Sequence, residues 1–173
     1  MRKKILAVVL MLCLGGISTA MAQHKVKDSI FDQMLQKLLT HNVNELGPTD
    51  ILPLEDVLLL DAREKEEYNV SHIKGALWVG YDDFKKTRLK AIPKNKKIVV
   101  YCSVGYRSEK ITQKLLKAGY TDVSNLYGGI FEWVNQGHQV ENKEGATANV
   151  HTFDETWAKW LLVGNKIYKT EKP

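Results

Sequence analysis

The stretch 98–108, Ile-Val-Val-Tyr-Cys-Ser-Val-Gly-Tyr-Arg-Ser, constrains the fold of this chain more than any other. Ile98, Val99, Val100 and Tyr101 are four consecutive β-formers, the length and apolar continuity of a strand buried on both faces of a parallel sheet. Downstream, Ile111, Leu115 and Ala118 recur at helical spacing, Lys114 and Lys117 sit near the last turn, and Gly119 supplies a stop. The unit therefore reads strand, tight loop, helix, with Cys102 opening the loop. Elsewhere a cysteine at a strand end is usually a small buried hydrophobe. Here the backbone N–H groups of Ser103, Val104, Gly105, Tyr106, Arg107 and Ser108 can gather around its sulfur, and a helix N-terminus favours an anion. Gly105 permits the backbone angles such a cradle needs. Arg107 adds a positive charge that can favour a thiolate or hold an anionic substrate.

The N-terminus reads as an export signal. Arg2, Lys3 and Lys4 precede an apolar run over 5–14, and small residues end at Ala20-Met21-Ala22. We expect cleavage after residue 22 and an exported, periplasmic or secreted product. The run is too short to span about 30 Å of hydrocarbon comfortably, so no stable membrane insertion is expected after cleavage. Leu12 before Cys13 argues against lipid modification, which wants a small residue there. Losing the three charges of Arg2, Lys3 and Lys4 brings the formal net charge from +5 to +2. No basic stripe then supports nucleic-acid binding. Cys13 also leaves with the signal, so Cys102 stays unpaired. In an oxidising compartment an unpaired thiol is a hazard unless buried or used, which strengthens a functional reading of Cys102.

The remainder divides into an N-terminal helix and irregular lead-in over 23–52, a domain over 53–140 and an extension over 141–173. Ile30, Phe31, Met34, Leu35, Leu38 and Leu39 predict an amphipathic helix over 28–41, with Ser29 and Asp32 as a capping box. Asn44, Gly47, Pro48 and Pro53 mark irregular chain with room for a short edge strand. Val57 to Leu60 reads as a buried strand ending in Asp61-Ala62-Arg63, 77–79 as a third strand, 82–89 as a helix, and 123–126 as the last core strand. Paired buried charges satisfy one another, so Asp61 and Arg63 belong to a hydrogen-bonded network. Residues 141–149 read as a polar linker. Phe153, Trp157, Trp160 and Leu161 then share a helical face, and 161–168, with Gly164-Asn165, equally fits a hairpin. This aromatic extension is expected to dock on the domain, a protein-partner surface being its other use. The histidines at 24, 41, 72, 138 and 151 lack paired ligand spacing, so no metal is expected. A Gly-rich phosphate loop is also missing, and no organic cofactor is implied.

The loop resembles the active-site loop of the rhodanese sulfurtransferase family: a cysteine, four residues, then Arg and Thr or Ser, with Gly in fourth place counted from the cysteine. Cys102, Gly105, Arg107 and Ser108 match. Related dual-specificity phosphatases carry five residues between Cys and Arg, a wider cradle. Two more motifs follow the family's order. Asp61-Ala62-Arg63 through Glu67-Tyr68 and His72 to Ala76 resemble a diagnostic motif that braces the loop, with Ser71 where the family usually has Gly. Tyr127-Gly128-Gly129-Ile130 through Trp133 resembles its terminal signature, and two glycines there imply a sharp turn lying against the Cys102 loop, where a Cβ would obstruct.

The resemblance implies a doubly wound α/β fold with about five mostly parallel strands flanked by helices. It also implies a sulfurtransferase in which Cys102 takes a sulfane sulfur from a small anionic donor such as thiosulfate. The resulting persulfide passes that sulfur to cyanide or a thiol. Arg107 and Ser103 to Ser108 would bind substrate, while Asp61, Arg63, His72, Gly128 and Gly129 would support the site. Thiosulfate-preferring members often carry basic residues just after the cysteine, where this chain has Ser103 and Val104, so the donor stays open. A non-catalytic binding or redox-sensing module is the alternative, and a cysteine-dependent phosphatase or arsenate reductase a third class.

Overall fold

The computed structural model describes residues 26–168; the signal segment expected over 1–22 lies outside the described residues. Five parallel strands form the central sheet: β1 (Asn44–Leu46), β2 (Leu58–Asp61), β3 (Leu77–Trp78), β4 (Ile98–Tyr101) and β5 (Val123–Leu126), in the order β1-β5-β4-β2-β3. β4 is central, its residues wholly shielded from solvent, as its unbroken β-branched run requires. From β2 the chain moves outward to β3, whereas from β4 it moves the other way to β5. Their carboxyl ends therefore flank a topological switch point, the place where open α/β sheets build sites.

The two faces of β4 bury different partners. Val99 and Tyr101 point into a core with Phe31 and Leu35 of α1 (Ser29–Leu38) and Ile130 and Phe131 of α4 (Gly129–Asn135). Ile98 and Val100 pack on the other side with Ile111 and Leu115 of α3 (Tyr106–Lys117). Helices on both faces make the sheet doubly wound. α2 (Lys65–Val70) follows β2 and begins with a carboxylate brace, the Glu64 N–H donating to Glu67 at 3.0 Å.

Several local readings change. The cap of α1 is Asp28, which accepts from the Phe31 N–H at 2.7 Å, because Ser29 is already the first helical residue. Of the helix expected over 82–89 only a 3-10 turn, Lys86–Leu89, forms; Leu89 alone of it is buried, and Arg88 instead pairs with Asp83 at 2.6 Å. The segment expected to be a polar linker is an antiparallel ribbon, β6 (Val140–Asn142) with β7 (Gly145–Thr147). Beyond it, β8 (Asn149–His151) pairs in parallel with β9 (Asn165–Ile167), so no hairpin forms about Gly164-Asn165. The short helix α5 (Glu155–Ala158) fills the crossover between them. Trp160 stacks on Phe31, ring centroids 5.3 Å apart, which docks this extension on α1. Among the described residues no helix is long and apolar enough to cross a membrane.

Candidate active site

Cys102 lies at the carboxyl end of β4 and is 1% exposed. Gly105, the residue capping α3, has φ +115, a left-handed angle only glycine adopts without cost. That turn swings its N–H onto the Cys102 Sγ at 3.2 Å. The loop carbonyls are held from behind. Cys102 O accepts from the Ile130 N–H at 2.9 Å and Ser103 O from the Phe131 N–H at 3.1 Å, both at the start of α4. Gly105 O accepts from Asn125 Nδ2 at 3.0 Å and Ser108 Oγ at 3.1 Å. A peptide plane whose carbonyl is fixed on one side presents its N–H to the other, and the first amides of α3 lack intrahelical acceptors. The loop is thus an anion cradle by construction.

Gly129 makes this close approach possible. At φ +58, a Cβ there would stand 2.4 Å from Cys102 O and 2.6 Å from Ser103 O, with only backbone to yield. Gly128, at φ +80, caps the same helix.

Arg107 reaches across to α2. Its guanidinium donates to both carboxylate oxygens of Glu67, at 2.6 and 2.8 Å, and to Ser103 Oγ at 3.0 Å; Ser103 Oγ in turn donates to Glu67 at 3.2 Å. Burial opposes the charge on Glu67, yet the Arg107 hydrogen bonds and the attraction of Arg107 and Arg63 outweigh it and hold the carboxyl at about 2. Burial likewise opposes the Arg107 charge, but the bonds to Glu67 and the field of Cys102 raise its pKa above the ordinary value. The loop cation therefore carries its own counterion.

A cleft of about 250 Å³ opens over the sulfur. Cys102, Ser103, Val104, Tyr106 and Arg107 line it from the loop; Leu38 of α1, Phe153 and Trp157 of the extension complete it. Ser108 is fully buried and does not line it: its hydroxyl donates to Asn125 Oδ1 at 2.7 Å. Asp61 and Arg63 form the expected network, Nη2 to Oδ2 at 2.6 Å, with Arg63 also donating to Ser71 O at 2.6 Å. His72 stands apart from the cleft, stacked on Tyr68 at 3.9 Å and paired through its backbone with Glu141, so it ties the ribbon to α2. Among the described residues no group of three or more His, Cys, Asp or Glu is placed to hold a metal.

Sequence reading placed Glu67 in a motif that braces the loop without naming its partner, and passed over the roles of Asn125, Leu38, Phe153 and Trp157. A signal existed for Asn125, since an amide in a fully buried strand must find partners. Glu67 carried less, because its partner lies forty positions away.

A doubly wound sheet with a cysteine cradled at its switch point defines a class of thiol-centred domains. Residues 49–136, half of the chain, match the family described as Rhodanese-like domain, and the chain belongs to that family. It is 36% identical over 144 residues to a tRNA uridine(34) hydroxylase of Hamiltonella defensa subsp. Acyrthosiphon pisum (strain 5AT), covering 77% of this chain and 39% of that protein. With a tRNA uridine(34) hydroxylase of Bacillus cereus (strain ATCC 10987 / NRS 248) it shares 38% identity over 130 residues, 69% of this chain and 40% of the other. The chain thus spans about two-fifths of the length of these curated relatives. Among solved structures, a thiosulfate sulfurtransferase from Pseudomonas aeruginosa is similar at TM-score 0.53 and 27% identity, over 58% of this chain and 20% of that one.

Proposed function

We propose that the protein is an exported sulfurtransferase that carries sulfur as a persulfide on Cys102. The observation that carries this reading is the cradle itself: a buried sulfur at the end of β4, accepting the Gly105 N–H at the foot of an open cleft. The Cys102 thiolate attacks the terminal sulfane sulfur of a donor. The donor's S–S bond breaks with its electron pair leaving on the departing group, sulfite in the case of thiosulfate. Fixed N–H dipoles stabilise the new Cys102–S–S⁻ anion without reorganising. An acceptor thiolate or cyanide then attacks the outer sulfur and restores the Cys102 thiolate.

The tRNA substrate in the relatives' name is not carried over. This chain spans two-fifths of those proteins, and the cation at its cleft is already paired with Glu67. The same pairing, with four residues between Cys102 and Arg107, disfavours phosphate or arsenate chemistry.

Reduced protein incubated with thiosulfate or methanethiosulfonate is expected to gain the mass of one sulfur, removable by cyanide or a thiol, and the Cys102→Ser variant none. An aryl phosphate should not be hydrolysed. Phosphate release without sulfur uptake, or no uptake from any sulfane donor, would refute sulfur transfer and leave a phosphatase or a binding module.

A further inference from the structure

Phe153 is an expensive residue where it stands. Its φ of +67 is left-handed, a conformation that strains a bulky side chain, and 48% of its surface is exposed. Burial does not account for it, and glycine or asparagine would meet the backbone demand more cheaply. The turn is nonetheless fixed: the Phe153 N–H donates to His151 Nδ1 at 3.1 Å, and the Thr152 N–H to Ile167 O at 2.8 Å. What this conformation achieves is to place the ring at the mouth of the Cys102 cleft, its centroid 5.9 Å from the Arg107 guanidinium carbon. Leu38, Val104 and Trp157 complete an apolar wall. Glu67 holds the guanidinium through two hydrogen bonds, so the charge that lines the cleft is already paired within the protein.

We infer that, among sulfane-sulfur donors of equal charge, this cleft selects those whose terminal sulfur is carried by a bulky apolar group, and that Phe153 is the specificity-determining residue. The inference rests on sulfur transfer through Cys102 and names the substrate class. For a thiosulfonate R–SO2–S⁻, the thiolate attacks the terminal sulfur, the S–S bond breaks, and R–SO2⁻ leaves with the electron pair; R occupies the apolar wall.

The test compares benzenethiosulfonate with methanethiosulfonate, which carry the same charge and differ in R. Each kcat/KM for persulfide formation is divided by the donor's rate with a small free thiol. The benzene donor is expected to be favoured about tenfold or more, as burial of an apolar group in a fitted pocket discriminates. Phe153→Gly, which suits the left-handed backbone while deleting the ring, should bring the ratio towards one, and Phe153→Leu should restore part of it. A ratio near one in the wild-type protein would overturn the inference while leaving sulfur transfer intact. Should no donor form a persulfide, sulfur transfer through Cys102 is refuted and donor selection falls with it.

Discussion

Replacing Glu67 by Gln would test whether the active-site loop depends on a carboxylate supplied by another element. The amide keeps the size of the side chain and one acceptor oxygen but removes the charge. Glu67 is 2% exposed and accepts from Arg107 twice, from Ser103 and from the Glu64 N–H. Without it, the Arg107 guanidinium beside Cys102 loses its carboxylate partner. Breaking a buried pair in this way costs about 3–5 kcal/mol. Arg107 retains 17% exposure, so water recovers part of that and the lower end applies. For a domain of this size, about 3 kcal/mol corresponds to a fall in Tm of roughly 6–12 °C.

The pH dependence separates this cause from a general packing defect. The Glu67 carboxyl is held at about 2 in the folded chain against an ordinary value of 4.5. Its contribution is therefore fully present above 4.5 and is lost as pH falls towards 2, because the unfolded chain takes up the proton first. The difference corresponds to stabilisation on the order of 3 kcal/mol, in line with the cost of breaking the pair. Urea unfolding of wild-type and Glu67→Gln protein, followed by far-UV circular dichroism from pH 7 down to 2.5, should show a gap that is constant above pH 5 and narrows below it. A gap under about 1 kcal/mol at pH 7, the size of an exposed surface pair, would refute the reasoning. So would a gap that does not change with pH.

Three further outcomes follow from the site. Cys102→Ser should fold with an unchanged circular dichroism spectrum and take up no sulfur by intact mass; uptake by the folded variant would place the carrier elsewhere. Gly129→Ala would drive a methyl onto the Cys102 and Ser103 carbonyls at 2.4 and 2.6 Å in a left-handed backbone, so a loss exceeding about 2 kcal/mol in urea unfolding is expected. Ser108→Ala removes the hydroxyl that donates to Asn125 Oδ1 at 2.7 Å, while Gly105 O keeps its bonds from Asn125 Nδ2 and the Glu109 N–H, and stability should fall by about 1–3 kcal/mol, the cost of one buried acceptor left unpaired.

The parts of the fold legible in the sequence are those in which local preference and burial agree. The run 98–101 can only be a buried strand, and the chain from Gly105 to Gly119 carries its helix stripe and its stop in the sequence itself. The ribbon β6–β7 was hidden because its strands are three residues long and half exposed, which leaves no alternation to read. The parallel pair β8–β9 was hidden for another reason: its partners are joined through α5, and pairing across a crossover leaves no turn signature like that of a hairpin.

The candidate site divides along the same line. Its nucleophile and glycines sit in contiguous motifs, so chemistry could be argued from them directly. The lining of its cleft depends on contacts that sequence order conceals. Arg107 reads as a free cation until Glu67 is seen against it, and the pairing offsets its charge within the protein. Phe153 reads as one more aromatic on a helical face, yet it precedes α5 and adopts a conformation that its residue type disfavours. Side chains placed against their own propensity are held there by tertiary structure, and here a backbone bond to His151 and a strand pairing with Ile167 do the holding. Cys102 thus belongs to the family's loop, whereas the walls of the cleft over it come in large part from α1 and the C-terminal extension. If Cys102 carries sulfur as proposed, substitutions in those segments should therefore alter donor preference while the cradle around Cys102 stays as it is.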